Sequence, residues 1–233
     1  MANTPENLVL QARPEAFKLR PERSAIVVND MQNAFCSPGG YLERIGFDIS
    51  GARKVIEATR RVFDAARQAG IPIFHFQNGF KRDLSDIPEY SPWWFKSPAM
   101  RHFRQHPELD EPILLEGSWD FAIVDELAPQ AGEVVIHKSR PSCFAGTSLD
   151  NHLRARGIDT VCVVGIASNV GVEWTLREAV SKEYFAILVR DATMPAGPQE
   201  VQRTVEHNVE NFIGWTTTST EFAAALRSPA TQA

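Results

Sequence analysis

The stretch TVCVVGIASNVGVEWTLREAV, residues 160–180, predicts a strand that runs directly into a helix. Its first part is an unbroken apolar run, which is typical of a strand buried on both faces of a parallel sheet. Apolar residues then recur at helical spacing, namely Val172, Leu176, Ala179 and Val180. Residues 167–171 are therefore predicted to form a tight turn at the N-terminus of a helix.

The predicted turn at residues 167–171 is a favourable place for an anion. The first N–H groups of a helix have no partner within it, and the helix dipole favours negative charge there. In open parallel sheets, ligand sites also lie outside the carboxyl ends of the strands. A cysteine at position 171 would have a lowered pKa, and neighbouring amides could stabilise an oxyanion. Position 171, however, is glycine.

Size and composition exclude several classes of protein. With 233 residues, 43% of them hydrophobic and 23% charged, residues 1–233 are expected to form one α/β domain. The net charge of −5 comes from intermixed charges without a basic cluster, so we expect no nucleic-acid partner. No apolar run approaches the roughly 18 residues of a membrane span, and the N-terminus lacks a signal-peptide core. We therefore expect no membrane partner and a soluble, cytoplasmic protein.

The cysteines and histidines show no spacing typical of a disulfide framework or a zinc site. Cys36, Cys143 and Cys162 are unpaired in the sequence pattern, which indicates reduced thiols. His102 and His106 are the only histidines four residues apart. A solvated helix face is favoured over a metal site for this pair, because no third ligand lies close in sequence.

Strands and helices alternate along most of the chain. Besides the strand of residues 160–166, strands are predicted at 24–30, 71–77, 133–138, 184–191 and 214–218. Helices are predicted at 50–70, 120–128, 147–156, 198–212 and 219–227, with Thr147 and Asp150 at capping-box distance. Six strands alternating with helices predict an α/β three-layer sandwich, in which a six-stranded parallel sheet carries helices on both faces.

Two segments do not fit this alternation. Residues 1–22 are predicted to form an N-terminal arm that runs over the surface. Residues 78–119 form a long loop containing five of the fifteen prolines, with one possible short helix at 97–106. Loops of this length are commonly functional. The loop aromatics could line a pocket or form a contact in a homo-oligomer, and both interpretations stay open: Phe80, Tyr90, Trp93, Trp94, Phe95 and Trp119.

Asp30, Lys138 and position 171 each follow or end a predicted strand. A parallel sheet with these strands close together would bring all three to one edge. There the carboxylate could take a proton from a thiol at position 171, while the ammonium stabilises the resulting anion. A purely structural ion pair of Asp30 and Lys138 is the alternative.

Three sequence blocks resemble the isochorismatase-like cysteine hydrolases: VVNDMQNAF, HKSRPSCF and GIASNVGVEWTLREA. The similarity extends over nearly the whole chain. Further blocks are most similar to the ureidoacrylate amidohydrolase branch of pyrimidine degradation, namely PGGYLERIGFDIS, FQNGF, GSWDFAIVDEL and NVENFIGW. The resemblance implies a Rossmann-like sheet and a hydrolase that cleaves a linear ureido or carbamoyl amide through a cysteine thioester.

The resemblance also implies roles for individual residues. Asp30 would be the general base, Lys138 the charge-stabilising partner and position 171 the place of the nucleophile. A cis peptide bond between Ile166 and Ala167 would direct the N–H groups of Ala167 and Gly171 at the oxyanion. Metal-binding relatives carry an Asp and histidines after the second strand, where this chain has FQNGF. We therefore expect no metal and no other cofactor.

Gly171 departs from the family at the nucleophile, and three explanations stay open. The glycine could have been introduced to trap a ligand in an otherwise intact site. The chain could be a natural relative that binds a small amide or urea without hydrolysis. A neighbouring thiol, Cys36 or Cys143, could replace the nucleophile. Because loss of a covalent nucleophile costs several powers of ten in rate, the glycine form is expected to be inactive or severely impaired, with a thiol-sized space beside it.

Candidate substrate contacts follow from position in the sequence. They are Phe35 in the loop after Asp30, Gln77 and Asn78 at the end of the second strand, and Trp119 and Phe144 on other loops. Asn78 offers a donor and an acceptor to an amide. An arginine that binds a substrate carboxylate could be Arg82, Arg101 or Arg140. Ureidoacrylate, biuret-like ureas and carbamoyl amino acids all stay open as substrates.

Overall fold

The computed structural model describes residues 8–109 and 113–227. Its strands are β1 (Leu8–Leu10), β2 (Phe17–Leu19), β3 (Ser24–Asn29), β4 (Ile73–Asn78), β5 (Val134–Lys138), β6 (Thr160–Ile166), β7 (Phe185–Met194) and β8 (Trp215–Thr217). Strands β3–β8 form one sheet in the order β5-β4-β3-β6-β7-β8, and every neighbouring pair is parallel. This confirms the predicted six-stranded parallel sheet.

Helices cover the sheet on both faces. They are α1 (Asn33–Cys36), α2 (Tyr41–Arg44), α3 (Ala52–Gln68), α4 (Pro92–Lys96), α5 (Pro98–Gln105), α6 (Leu149–Ala155), α7 (Glu173–Ser181), α8 (Gln199–Asn208) and α9 (Ser219–Arg227). Alternate residues of β3 enter two separate cores, Ile26 and Val28 on the side of α3 and α9, Ala25 and Val27 on the side of α6 and α7. The predicted three-layer arrangement follows from this alternation. No helix in the described ranges is long and apolar enough to cross a membrane.

Gly165 of β6 lies close against the backbone of Asn29 of β3. This glycine has φ +116°, and a Cβ placed on it would lie 1.9 Å from the carbonyl oxygen of Asn29. Only glycine fits that position. The close approach sets the carboxyl end of β3 directly beside the turn that follows β6.

Replacing Gly165 by alanine should therefore destabilise the protein strongly. Positive φ and a backbone clash act together here, so we expect a loss of at least about 3 kcal/mol in the free energy of unfolding, measured in urea. Gly157→Ala is the matched control, because Gly157 also has positive φ (+65°) but its Cβ would meet nothing within 4 Å. Equal losses in the two variants would contradict the close approach.

The described part of the predicted N-terminal arm, residues 8–22, contains a short antiparallel ribbon. β1 and β2 pair antiparallel and bury Leu10 and Leu19 completely in the core on the α9 side. Arg13 also forms an antiparallel bridge with Thr216 at the sheet edge. Alternation of apolar residues over two three-residue strands is too short a signal to separate a ribbon from a surface arm. Residues 1–7 lie outside the described ranges.

The predicted helix at residues 120–128 is also wrong. Only a 3₁₀ turn at Asp125–Leu127 is helical. The preceding backbone pairs with the loop after β3, since Asn33 N–H donates to Ala122 O at 2.9 Å and Val124 N–H donates to Met31 O at 3.0 Å. These bonds satisfy backbone groups that a helix would otherwise have used.

Two smaller expectations were inaccurate. Asp150 does not cap α6 but accepts a hydrogen bond from the Tyr184 hydroxyl at 2.7 Å, and the helix begins at Leu149. Val180, expected on the buried stripe of α7, is 39% exposed. The helix predicted at 198–212 is confirmed, as the α-helix Gln199–Asn208 continued by a π-helical turn, Val209–Ile213.

The long loop at residues 78–119 is partly helical. α4 and α5 lie within it, and a bridge between Phe80 and Leu115 closes its base. Among its aromatic residues, Phe80 is buried whereas Tyr90 and Phe95 are exposed, and a contact in a homo-oligomer stays a prediction. Residues 110–112 of the loop lie outside the described ranges.

Candidate active site

The turn after β6 has the form that the sequence indicated. The peptide bond between Ile166 and Ala167 is cis, and a π-helical turn, Ser168–Val172, leads into α7. The N–H groups of Val170 and Val172 donate to Ala167 O at 3.1 and 3.2 Å. Gly171 thus lies at the helix start, at the carboxyl edge of the sheet.

Asp30 and Lys138 meet at the same edge. Asp30 follows β3 directly, and Lys138 is the last residue of β5, with β4 between the two strands. Lys138 Nζ donates to Asp30 Oδ2 at 2.8 Å, and the residues are 2% and 3% exposed. The predicted convergence of Asp30, Lys138 and position 171 is therefore present in the structure.

All three N–H bonds of the Lys138 ammonium point at protein acceptors. Besides Asp30, the ammonium donates to the carbonyl oxygens of Pro141 at 2.8 Å and Arg140 at 3.2 Å. An ammonium has three donors, so none remains for a ligand in this arrangement. In this arrangement Lys138 fixes Asp30 Oδ2 and places a positive charge beside it. The second carboxylate oxygen, Asp30 Oδ1, is buried without a hydrogen-bond partner among the described residues.

Burial raises the pKa of Asp30 to about 6, and the charge and hydrogen bond of Lys138 oppose this rise. The carboxyl therefore exchanges its proton close to neutral pH rather than near its ordinary value of 3.8. A group with such a pKa is suited to accept and return a proton at physiological pH.

The space beside Gly171 is not the thiol-sized opening that the sequence led us to expect. A Cβ on Gly171 would lie 2.6 Å from Asn29 Oδ1, 3.2 Å from Asp30 Oδ2 and 3.2 Å from Pro141 O. The side chain of Asn29 fills the place where a larger residue 171 would begin. Asn29 sits in an apolar strand, and no sequence motif signalled this contact.

A cavity of about 190 Å³ opens at this edge of the sheet. Five of the predicted site residues line it: Asp30, Phe35, Asn78, Ala167 and Gly171. Phe80 and Trp93, loop aromatics for which a pocket was one of two open interpretations, also line it. Further lining residues that sequence reasoning did not assign to the site include Tyr41, Leu114, Asn169 and Val170. The lining is mostly apolar, with a few polar groups at the Asp30 end, which is a common composition for a small-ligand site.

Three predicted substrate contacts lie outside the cavity. Gln77 donates through Nε2 to Phe121 O at 2.8 Å. Trp119 is 55% exposed, and Phe144 packs against Tyr184 in the core on the α6 side. Arg140 donates to the backbone oxygens of Asp86 and Ser139. Arg82, Arg101 and Arg140 are all absent from the cavity lining.

The two candidate replacement thiols are poorly placed. Cys36 and Cys143 are buried and do not line the cavity. Burial raises the pKa of the Cys143 thiol to about 12 and raises the pKa of Cys36 as well. Both side chains therefore stay protonated near neutral pH, and their position does not support a role as nucleophile.

The histidine pair on α5 lies on an exposed surface. The rings of His102 and His106 are 4.2 Å apart, and His106 Nδ1 contacts Glu108 Oε1 at 2.8 Å. Within the described ranges, no three His, Cys, Asp or Glu side chains are grouped in a way that could hold a metal ion.

A six-stranded parallel sheet with helices on both faces and a buried Asp–Lys pair at its carboxyl edge place the chain among the isochorismatase-like α/β proteins. The chain belongs to the isochorismatase family, whose model, described as Isochorismatase domain, matches residues 24–221. It is 48% identical to the ureidoacrylate amidohydrolase RutB of Azorhizobium caulinodans, over 94% of this chain and 96% of that protein. The RutB protein of Agrobacterium fabrum is 45% identical, over 96% and 98% of the two chains.

Solved structures show the same fold. A cysteine hydrolase from Pseudomonas syringae pv. phaseolicola matches with a TM-score of 0.77 and 28% identity, covering 97% of this chain and 98% of that one. N-carbamoylsarcosine amidase from Thermoplasma acidophilum matches with a TM-score of 0.63 and 25% identity, covering 84% and 96%.

Proposed function

We propose that the cavity beside Gly171 binds a linear ureido or carbamoyl amide of the ureidoacrylate type. Relatives named ureidoacrylate amidohydrolase are 45–48% identical to this chain, and a structural neighbour is named N-carbamoylsarcosine amidase. The observation that carries the proposal is the buried Asp30–Lys138 pair, whose Oδ2 lies 3.2 Å from the Cβ position of residue 171. Asp30 and Gly171 line the same small cavity, and Lys138 holds Asp30 from behind it.

The chemistry of the site follows for a form with cysteine at position 171. Asp30 takes the thiol proton, and the sulfur attacks the ureido carbonyl carbon. The N–H groups of Ala167 and residue 171 receive the negative oxygen. The C–N bond then breaks, the proton passes to the leaving amine, and a thioester remains. Water then attacks the thioester carbonyl, the carbon–sulfur bond breaks, a carbamate is released and the thiol is regenerated.

The charge of Lys138 favours the ionised forms in this sequence. It stabilises the Asp30 carboxylate before proton transfer and the thiolate afterwards, although its own N–H bonds are taken by protein acceptors. In this scheme Asp30 alone transfers the proton, and Lys138 contributes only its charge.

With glycine at position 171, the first bond of this sequence cannot form. We therefore propose that the present chain binds the amide but does not hydrolyse it at the rate of a cysteine hydrolase. The cavity, Asp30 and the turn at residues 167–171 do not depend on a sulfur atom. A cytoplasmic location and a homo-oligomeric state stay predictions from the sequence.

Asn78 should contribute to this binding. Its Oδ1 is buried without a partner among the described residues, and the residue lines the cavity. Calorimetry with N-carbamoyl amides, including ureidoacrylate, should detect binding to the chain, and Asn78→Ala should weaken it about tenfold, the effect of one hydrogen bond to a buried polar group. Gln77→Ala is the control, because the adjacent Gln77 lies outside the cavity and should leave affinity unchanged.

Absence of binding heat for every linear ureide and carbamoyl amide would overturn the proposed function. Equal weakening by Asn78→Ala and Gln77→Ala would instead show that the amide does not occupy the cavity beside Asn78.

A further inference from the structure

The side chain of Asn29, the last residue of β3, contacts the backbone of Gly171. Its Nδ2 donates to Gly171 O at 3.3 Å and to Thr175 Oγ1 at 3.1 Å. Asn29 is fully buried, and its Oδ1 has no hydrogen-bond partner among the described residues. An unpartnered buried amide oxygen is costly, so its place next to residue 171 calls for an explanation.

Three oxygens lie close to the place of a Cβ on Gly171, and the nearest of them, Asn29 Oδ1, leaves it no room. Asn29 Oδ1 would be 2.6 Å from that atom, a separation that real Cβ atoms essentially never show. The other two neighbours, Asp30 Oδ2 and Pro141 O, are 3.2 Å away, and both accept hydrogen bonds from Lys138. Neither of these two can move without disturbing the buried ion pair.

Asn29 is held as well. Turning its carboxamide away from residue 171 would break the hydrogen bonds to Gly171 O and Thr175 Oγ1 inside the protein. Its backbone is fixed by the close approach of Gly165, whose Cβ position lies 1.9 Å from Asn29 O. Thr175 is itself occupied, since it donates to Gly171 O at 2.6 Å and accepts from Cys143 N–H at 3.0 Å.

We infer that Asn29 and Gly171 are a matched pair, in which the carboxamide of Asn29 occupies the volume where the side chain of a nucleophile at position 171 would begin. The inference rests on the proposed function only in taking position 171 as the place of the nucleophile. If glycine had simply replaced a cysteine at position 171, residue 29 would still leave room for a cysteine side chain. Here Asn29 leaves room only for glycine. The pairing therefore supports a chain whose site is built around glycine, and a thiol at position 171 requires a smaller residue at position 29.

The pairing predicts that Gly171→Ala has opposite effects in two backgrounds. Gly171 has no positive φ and lies in a helical turn, where alanine ordinarily stabilises. In the Asn29 protein we expect the Tm to fall by about 3–8 °C through overpacking. In the Asn29→Ala background the same change should leave the Tm unchanged or raise it. Gly51→Ala is the matched control, because its Cβ would meet only Met194 Sδ at 3.5 Å, and it should act alike in both backgrounds.

Equal Tm changes for Gly171→Ala in the two backgrounds would overturn the pairing. A second measurement covers the case in which one alanine variant fails to fold. Gly171→Cys is made with Asn29 and with Asn29→Ala, and the apparent thiol pKa is measured from iodoacetamide alkylation against pH by intact mass. Subtraction of the Gly171 parent removes any contribution of Cys36, Cys143 and Cys162.

We expect the thiol in the Asn29→Ala background to titrate at least one pH unit below the ordinary value of about 8.5, and the thiol beside Asn29 to titrate at or above that value. Identical apparent pKa values would overturn the pairing. This readout needs no substrate. Failure to bind any ureide would therefore count against the proposed function alone, and the pairing would stand or fall separately.

Discussion

Asp30→Ala in the Asn29→Ala, Gly171→Cys enzyme should lower kcat/KM for a ureidoacrylate-type amide by at least about 10³-fold. Removal of a general base alone costs about 10²–10⁴-fold, and members of a coupled triad act as one unit. Asp30 Oδ2 lies 3.2 Å from the Cβ position of residue 171, so this carboxylate is within reach of a thiol there. The measurement is steady-state hydrolysis against the parent double variant.

Asp120→Asn is the control for this prediction. Asp120 is a second buried carboxyl whose pKa burial also raises, but it pairs with Arg44 at 3.8 Å and does not line the cavity. Its replacement should change kcat/KM by less than about threefold, as expected for a site outside the chemistry. If Asp30→Ala and Asp120→Asn had similar effects, Asp30 would be a structural member of an ion pair.

In the same enzyme, kcat/KM should fall at acidic pH because Asp30 becomes protonated. Burial raises the pKa of Asp30 to about 6, so the carboxyl is protonated below that pH and cannot act as a base. Activity should therefore fall about tenfold per pH unit below pH 6 and level off above it.

The raised pKa of Asp30 also makes the folded state bind this proton more tightly than the unfolded chain. The corresponding stability is fully present below pH 3.8 and is lost as the pH rises through about 6.

The edge of the sheet was predictable because parallel strands place their carboxyl ends together. Asp30, Lys138 and Gly171 each stand at or just beyond such an end, so recognising three strands was enough to bring them to one edge. Uninterrupted apolar runs in β3 and β6 made these strands recognisable. The order of the strands, which determines the 2.8 Å contact of Asp30 and Lys138, depends on packing that no local pattern encodes.

Side-chain direction was the main source of error at the site. Gln77 and Asn78 are neighbours at the end of β4, yet only Asn78 lines the cavity, since successive strand residues face opposite sides. Phe144 follows Lys138 closely but enters the core on the α6 side. Closeness in sequence to a strand end therefore does not decide which side chains reach the ligand.

The role of Asn29 could not be predicted from the sequence, for a different physical reason. An asparagine at the end of an apolar strand is compatible with a strand end or a turn. Its meaning comes from Gly171, 142 residues away in the chain, to whose carbonyl it donates. Only the three-dimensional contact shows that the carboxamide of Asn29 occupies the volume that a side chain at position 171 would need.

Lys138→Met should lower the free energy of unfolding at pH 8 by about 3–5 kcal/mol, the usual cost of leaving one member of a buried ion pair alone. The variant also leaves the carbonyl oxygens of Arg140 and Pro141 without their ammonium donor. Lys182→Met is the control, because Lys182 and Asp150 form an exposed pair at 3.8 Å whose loss should cost less than about 1 kcal/mol. Unfolding in urea measures both variants.

The pH dependence of this loss identifies the carboxylate as its cause. Without Lys138, the pKa of Asp30 should rise further, because the group that opposes the effect of burial is gone. Lowering the pH to 5 then neutralises Asp30 in the variant, so the stability difference from the parent should shrink. A second change, Asp30→Asn, should recover most of the loss at pH 8 by removing the unpaired charge. If the loss were the same at pH 5 and pH 8, and Asp30→Asn did not reduce it, the lysine would be acting through its hydrogen bonds to the Arg140 and Pro141 carbonyls and not through the charge of Asp30.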